Sequence, residues 1–336
     1  MDLDDRTQLG KLDPGEMGQR VSELPQQCRD AWAISQAAEM PPGYGDVRHL
    51  VVLGMGGSAI GGALLRDLVA GTSRVEVTVV HGYQLPAFVS GPETLVIACS
   101  NSGNTEETLT CFAQALERGV LTAAVTTGGK LAALAGERGI PVLLFDYDSQ
   151  PRAAVGYSYI LLLGLGCRLG LFEDRSAQLD EAIGVMEALQ EEVGRDVPIA
   201  DNAAKSLATT LADRLPVVYG GGFLVSVANR WKTQFNENAK HWSFFEALPE
   251  LHHNTVVGLG IPPAVRDRAQ VLMLRSRLDH PRLKGRLGSI TFDQLLRFSH
   301  DPEQGQIPSD IVSPDAVLER RADHDHARAQ VDIVTF

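Results

Sequence analysis

The stretch Thr94-Leu95-Val96-Ile97-Ala98-Cys99 runs directly into Ser100-Asn101-Ser102-Gly103-Asn104-Thr105 and then into Glu106-Glu107. The first six residues are apolar enough for a buried strand, and an acidic pair is typical of the first turn of a helix. Small hydroxyl and amide residues with one glycine stand between them. The stretch therefore predicts a strand, a polar loop and a helix, which is a building block of α/β sheets.

The polar loop has the chemistry of a phosphate site. The hydroxyls of Ser100, Ser102 and Thr105 can donate hydrogen bonds, and a helix N-terminus adds backbone N–H groups with a positive dipole end. The loop has no lysine or arginine, so hydroxyls and amides would hold a single phosphate. The simpler interpretation is a turn in which Asn104 caps the helix and Glu107 completes a capping box.

Strands and helices alternate on both sides of this loop. Apolar strands are predicted at 49–53, 75–80, 94–99, 121–126 and 142–145, which indicates a parallel sheet with helices on both faces. The pattern returns with a strand at 215–219, the turn Gly220-Gly221-Gly222, a helix at 223–238 and a strand at 271–275. Both glycine loops follow strands, where open parallel sheets bind ligands.

These patterns predict five regions. They are an N-terminal helical arm (1–44), a first domain with the phosphate loop (45–150), linking helices (151–195), a second domain (196–285) and a C-terminal tail (286–336).

The composition excludes several classes of protein. With a net charge of −12 and no basic run, the chain lacks the footprint of a nucleic-acid binder. The four cysteines show no metal-site spacing, and the acidic N-terminus lacks an apolar signal segment. The apolar run Ala153–Cys167 is too short to span a membrane, and it predicts a buried helix at a subunit interface. We therefore expect a cytoplasmic protein without metal.

The first glycine loop, Gly54-Met55-Gly56-Gly57-Ser58-Ala59, fits the GxGxxA form of a dinucleotide fingerprint. That fingerprint also needs an acidic residue after the second strand, where this chain has His81-Gly82-Tyr83. A nucleotide cofactor is therefore disfavoured. The loop instead offers close backbone approach to a ligand and the hydroxyl of Ser58.

Taken together, GMGGSAIGG, SNSGNTEET and Asn236-Glu237-Asn238-Ala239-Lys240 resemble the SIS (sugar isomerase) domain family, most closely its bifunctional phosphoglucose/phosphomannose isomerases. The resemblance implies an α/β fold of two SIS domains, each a flavodoxin-like parallel sheet flanked by helices, in a homodimer. It implies reversible, metal-independent isomerisation of glucose 6-phosphate or mannose 6-phosphate to fructose 6-phosphate through a cis-enediolate, with no cofactor.

The resemblance also implies roles for individual residues. Glu237 matches the base, His253 the ring-opening residue contributed by the neighbouring subunit, and Arg152 the cation that stabilises the enediolate. His252 is a competitor for the role of His253. The substrate phosphate is expected to contact Gly56, Gly57, Ser58, Ser100, Ser102 and Thr105.

The similarity fades after about residue 285. Family members end with a Thr-Pro segment and a lysine that complete the site, which Ser313-Pro314 and Arg320 resemble only faintly. Two interpretations compete: a native, diverged tail, or a tail from an altered reading frame. The alternative function is accordingly a non-catalytic or weakly active sugar-phosphate-binding protein. The run Asp323-His324-Asp325-His326 is interpreted as a disordered tail rather than a metal site.

Overall fold

A computed structural model describes residues 2–259, 261–288 and 334–335. The chain forms two compact units, one up to Ser206 and one from Leu207 onward. The tail motifs at 313–314, 320 and 323–326 lie outside the described residues.

The first unit contains a five-stranded parallel sheet. The strand order β2-β1-β3-β4-β5 is flavodoxin-like: β2 lies on one side of β1, and the chain then adds β3 on the other side. The strands are β1 (His49–Leu53), β2 (Glu76–Val80), β3 (Thr94–Ser100), β4 (Leu121–Thr126) and β5 (Val142–Leu144). Every residue of β3 is buried, as a central parallel strand requires.

Helices cover both faces of this sheet. The helices up to the end of this unit are α1 (Arg6–Leu12), α2 (Met17–Ser22), α3 (Leu24–Ala37), α4 (Gly56–Val69), α5 (Glu106–Glu117), α6 (Gly129–Glu137), α7 (Val155–Arg168), α8 (Ser176–Val193) and α9 (Ala203–Leu211), the last of which crosses into the second unit. One face, with Val52 and Ile97, packs against α3, α4 and α7. The opposite face, with Val51 and Val96, packs against α5 and α6.

The apolar run 153–167 forms most of α7, which is buried inside the first unit. Leu161, Leu162 and Leu165 are fully buried within a cluster that includes residues of α3 and α4. Each buried leucine stabilises the fold by about 1.5–3 kcal/mol. The burial of α7 is thus explained within one chain, without the subunit interface expected from its sequence.

The second unit repeats the strand, glycine turn and helix with which the sheet of the first unit begins. Its strands are β6 (Leu215–Gly221), β7 (Phe244–Leu248), β8 (Ala269–Met273) and β9 (Val334–Thr335), in the order β7-β6-β8-β9. Strand β6 is parallel to β7 and β8, as expected, and β9 adds an antiparallel strand at the edge beside β8. Its helices are α10 (Val225–Glu237), α11 (Pro263–Arg266) and α12 (Pro281–Gly288).

Strand β7 was not predicted from the sequence. It is an edge strand whose first four residues are at most half-buried, and Glu246 interrupts its apolar pattern. A partly exposed edge strand lacks the continuous apolar run that marks a central parallel strand.

The tight packing of α4 on α7 gives a test of the fold. A Cβ at Gly61 would lie 2.1 Å from the carbonyl oxygen of Ser158, so Gly61→Ala should destabilise the first unit by about 1–3 kcal/mol. Gly184 in α8 has open space around it, so Gly184→Ala should stabilise the helix by about 0.5–1 kcal/mol. Urea unfolding of both variants measures the difference, and equal effects would contradict the close helix contact.

Candidate active site

The glycine loop after β1 and the Ser/Thr loop after β3 meet at one edge of the first sheet. The carboxyl ends of β1 and β3 lie side by side because Leu53 pairs with Ala98. The N–H of Asn101 donates to the Ser58 hydroxyl oxygen at 3.1 Å, which joins the glycine loop to the Ser/Thr loop. A ligand at this edge of the sheet would therefore meet both loops at once.

The hydroxyls of the Ser/Thr loop are preorganised. Those of Ser100 and Thr105 are 2.9 Å apart, and the Ser102 hydroxyl accepts the N–H of Asn104 at 3.2 Å. Helix α5 begins after Thr105, and no side chain caps its N-terminus within the described residues. The capping-box interpretation is therefore wrong, and the first N–H groups of α5 stay available for an anion.

Asn104 holds the loop instead of capping the helix. Its amide nitrogen donates to the Ser102 carbonyl at 2.9 Å, and its side-chain oxygen accepts the N–H of Lys130 at 3.2 Å. The loop after β4 adds a second brace, since the Thr127 hydroxyl donates to the Asn101 carbonyl at 2.7 Å. This neighbouring loop fixes the shape of the Ser/Thr loop.

The turn that carries Arg152 lies against the glycine loop. A Cβ at Gly57 would lie 2.6 Å from the carbonyl oxygen of Pro151, so the two backbones are in direct contact. Arg152 is half-buried in a short 3₁₀ turn, Pro151–Ala153. The buried amide of Gln27 in α3 donates to the Ala153 carbonyl at 2.9 Å and holds this turn from the other side.

Six predicted residues of the first unit thus lie on neighbouring loops beside the Arg152 turn. A narrow pocket of about 10 Å³ lies between these elements, and a cleft of about 490 Å³ shares Asn101 and Pro151 with it. The predicted residues on these loops are Gly56, Gly57, Ser58, Ser100, Ser102 and Thr105.

The thiol nearest to this pocket is not a nucleophile. Cys99 lies at the pocket wall, and burial raises the pKa of its thiol to about 12. A thiol with that pKa is protonated at neutral pH and chemically inert. Polar groups and backbone amides therefore define the chemistry of the pocket.

The remaining predicted residues lie in the second unit. Glu237 is the half-buried last residue of α10, and the amino group of Lys240 bonds its carbonyl oxygen. Just before it, the Asn236 side chain accepts the N–H of Ser243 at 2.9 Å, which holds the end of the helix. The His241 ring forms a hydrogen bond with the Arg214 carbonyl oxygen.

His253 is exposed at the end of the 3₁₀ turn Glu250–His253. It lines a cleft of about 600 Å³ together with Gly222, Pro249, Asp279 and His280. His252 is half-buried, so His253 is the more accessible of the two rings.

Within the described residues, no group of three or more His, Cys, Asp or Glu side chains could hold a metal ion. No helix of that part of the chain is long and apolar enough to cross a membrane.

The sequence did not single out two parts of this region. Thr127 braces the Ser/Thr loop, a role that its sequence did not predict. Arg20 lines the larger cleft from the N-terminal arm, and no motif marks it.

The two flavodoxin-like sheets and the Ser/Thr loop define a SIS-domain protein. The C-terminal domain of a glucosamine-fructose-6-phosphate aminotransferase from Francisella tularensis shares the fold, with a TM-score of 0.52, 14% identity, and coverage of 71% of this chain and 72% of that one. Residues 200–291 match the family described as the bacterial phospho-glucose isomerase C-terminal SIS domain.

Relatives of known name narrow the family. A bifunctional phosphoglucose/phosphomannose isomerase from Caldicellulosiruptor bescii is 40% identical over 267 residues, 79% of this chain and 78% of the relative. A protein of the same name from Aquifex aeolicus is 34% identical over 241 residues, 71% of each chain. The chain belongs to the bifunctional phosphoglucose/phosphomannose isomerase family, which confirms the resemblance and the α/β fold expected from the sequence.

The contact between the Ser/Thr loop and the loop after β4 can be tested with two glycines that each have a left-handed backbone conformation. Gly103 has φ +65° and an added Cβ would lie 1.8 Å from the Gly128 carbonyl oxygen, whereas Gly119 has φ +66° and open space. Gly119→Ala should cost about 1–2 kcal/mol for its backbone conformation. Gly103→Ala should cost about 1–3 kcal/mol more because the loops collide.

Thermal or urea unfolding of the two variants measures this difference. Equal destabilisation would mean that the loops do not touch at Gly103.

Proposed function

We propose that this protein is a cytoplasmic isomerase that interconverts fructose 6-phosphate with glucose 6-phosphate, mannose 6-phosphate or both. The observation that carries the proposal is the preorganised Ser/Thr loop at the switch point of the first sheet, in a chain that belongs to this isomerase family. The five regions drawn from the sequence are retained as its proposed domains.

The phosphate is bound by the first unit. The hydroxyls of Ser58, Ser100, Ser102 and Thr105 provide hydrogen bonds, and Gly56 and Gly57 let the backbone approach closely. The uncapped N-terminus of α5 adds N–H groups and a favourable dipole. This set suits one phosphate monoester, which anchors the sugar by an end that does not react.

Glu237 is the base. In the aldose-to-ketose direction its carboxylate removes the proton from C2, which gives a cis-enediolate, and the resulting acid returns a proton to C1. A second proton moves from the C2 hydroxyl to the C1 oxygen, so atoms and charge balance. A carboxylate positioned within reach suits both transfers.

Arg152 stabilises the negative charge of the enediolate. A fixed guanidinium provides the electrostatic stabilisation that some isomerases obtain from a divalent ion, so the proposed reaction needs no metal. The turn that carries Arg152 is held by Gly57 on one side and by Gln27 on the other.

His253 opens the pyranose ring by moving a proton between the anomeric hydroxyl and the ring oxygen. An imidazole suits this step because its usual pKa lies near neutrality. We propose that the His253 used at each site comes from the second subunit of a homodimer. Its exposed position at the end of a short turn is compatible with reaching a partner.

Replacing the base tests the reaction. Glu237→Gln keeps the shape of the side chain but removes its basicity, so kcat should fall by about 10²–10⁴-fold. Glu181→Gln on the exposed side of α8 makes the same change in charge and should stay within about twofold, as expected for a surface substitution. Conversion of fructose 6-phosphate to glucose 6-phosphate, followed in a coupled assay, measures both.

Wild-type turnover no higher than that of Glu237→Gln would overturn the isomerase proposal. Thermal stabilisation by fructose 6-phosphate without turnover would instead select the non-catalytic sugar-phosphate-binding protein.

Mixing two inactive variants tests the shared site. If His253 acts across a dimer interface, a mixed dimer of Glu237→Gln and His253→Asn contains one intact site and one doubly altered site. Random mixing in equal amounts should then restore about a quarter of the wild-type activity. If both residues act within one chain, each site keeps one defect and mixing restores nothing.

A further inference from the structure

The cleft beside the Ser/Thr loop is lined partly by the N-terminal arm. One wall is formed by Asn101 and Ser102, another by residues 147–151, and a third by Gly15 and Arg20. Its volume of about 490 Å³ is ample for a sugar phosphate. Among its lining residues, Arg20 has the positive charge and Asp148 the negative one.

Arg20 is free to exchange its present partner for a ligand. Its guanidinium lies 3.3 Å from the Glu23 carboxylate, and both side chains are about one-third exposed. Such a pair near the surface is weak, about 0–1 kcal/mol. A phosphate dianion can therefore displace Glu23 at small cost, because two of its oxygens can accept paired N–H groups of the planar guanidinium.

The guanidinium also faces the wall formed by Tyr147. Burial raises the pKa of the Tyr147 hydroxyl, while the positive charge of Arg20 acts in the opposite direction. On the opposite wall, the side-chain oxygen of Asn101 is buried and has no hydrogen-bond partner within the described residues. The cleft thus has a cation on one wall and an unpaired buried acceptor on another, which suits a ligand that carries both an anionic group and hydroxyl groups.

The arm is fixed in place by one buried side chain. The Gln27 amide donates to the Ala153 carbonyl at 2.9 Å and to the Arg20 carbonyl at 3.5 Å. It therefore connects the end of α2 with the turn that carries Arg152. The Gln27 side chain thus holds both the backbone of Arg20 and the proposed catalytic turn. The arm is therefore a fixed wall of the cleft.

We propose that Arg20 is a substrate-binding residue that contacts the phosphate group of the hexose phosphate. This inference rests on the proposed function. It supplies the positive charge that the Ser/Thr loop lacks, and it adds the N-terminal arm to the site.

Arginine substitutions on the same arm give a matched test. Arg20→Ala should raise the KM for fructose 6-phosphate about tenfold, with kcat within about twofold. The reason is that a contact with the unreactive phosphate stabilises the bound substrate and the transition state equally. The inhibition constant of inorganic phosphate should rise by a similar factor. Arg20→Lys keeps the charge but not the planar fork, so it should recover part of the loss.

Arg29→Ala is the control. Arg29 lies on α3 and pairs with Glu187 at 2.6 Å, with both side chains roughly half-exposed. The change removes the same charge and breaks the same kind of pair, so it should alter KM less than twofold. An unchanged KM and phosphate inhibition constant in Arg20→Ala, or equal effects in Arg29→Ala, would overturn the role of Arg20.

Binding measurements separate this inference from the isomerase proposal. If the wild-type protein has no turnover, calorimetric titration with fructose 6-phosphate still reports on Arg20, and about tenfold weaker binding in Arg20→Ala supports it. Wild-type turnover with a KM that does not depend on Arg20 refutes this inference alone. A wild-type protein that binds neither fructose 6-phosphate nor inorganic phosphate overturns both.

Discussion

The contact between α4 and the segment 151–158 is the constraint on which the arrangement of the loops in the first unit depends. It is a backbone-to-backbone contact at two places, Gly57 against Pro151 and Gly61 against Ser158. The two glycines are four residues apart on one helix, so they form a single smooth surface. Because no Cβ separates the backbones, the Arg152 turn reaches the edge of the sheet where the phosphate loops end.

The same contact explains why the glycine loop misleads when it is compared with a nucleotide fingerprint. In that fingerprint, glycines allow a pyrophosphate to approach and a helix to pack on a strand. Here the glycines outside the fingerprint positions, Gly57 and Gly61, face another segment of the chain. The acidic residue missing after β2 is the part of the pattern that disfavours a dinucleotide.

Much of the fold could be predicted because its central strands are buried on both faces. Strand β4 was predicted with its observed bounds, and β3 within one residue, since apolar runs bounded by polar loops identify such strands. The edge strand β7 could not, because edges bury less and have weaker patterns, and the two-residue β9 is too short to show a pattern. Arg20 was missed for another reason: its role depends on which loop the arm meets, which no local pattern contains.

The two units have the same opening but different chemistry. Leu53 and Tyr219 each pair with strands on both sides, and three residues later Gly56 and Gly222 have φ +49° and +55°. Two residues further along, the first unit has Ser58 and the second has Leu224. The second glycine loop thus keeps the turn and loses the hydroxyl.

The loop after β8 also differs in chemistry from the matching Ser/Thr loop after β3. By strand register, Arg275 occupies the position of Ser100, and Asp279 occupies that of Asn104. The Asp279 carboxylate accepts the N–H of Ser276 at 2.7 Å, and burial raises the pKa of this carboxyl group. A carboxylate that already occupies a backbone N–H would repel a phosphate. The loop after β8 is therefore less suited to an anion than the Ser/Thr loop of the first unit.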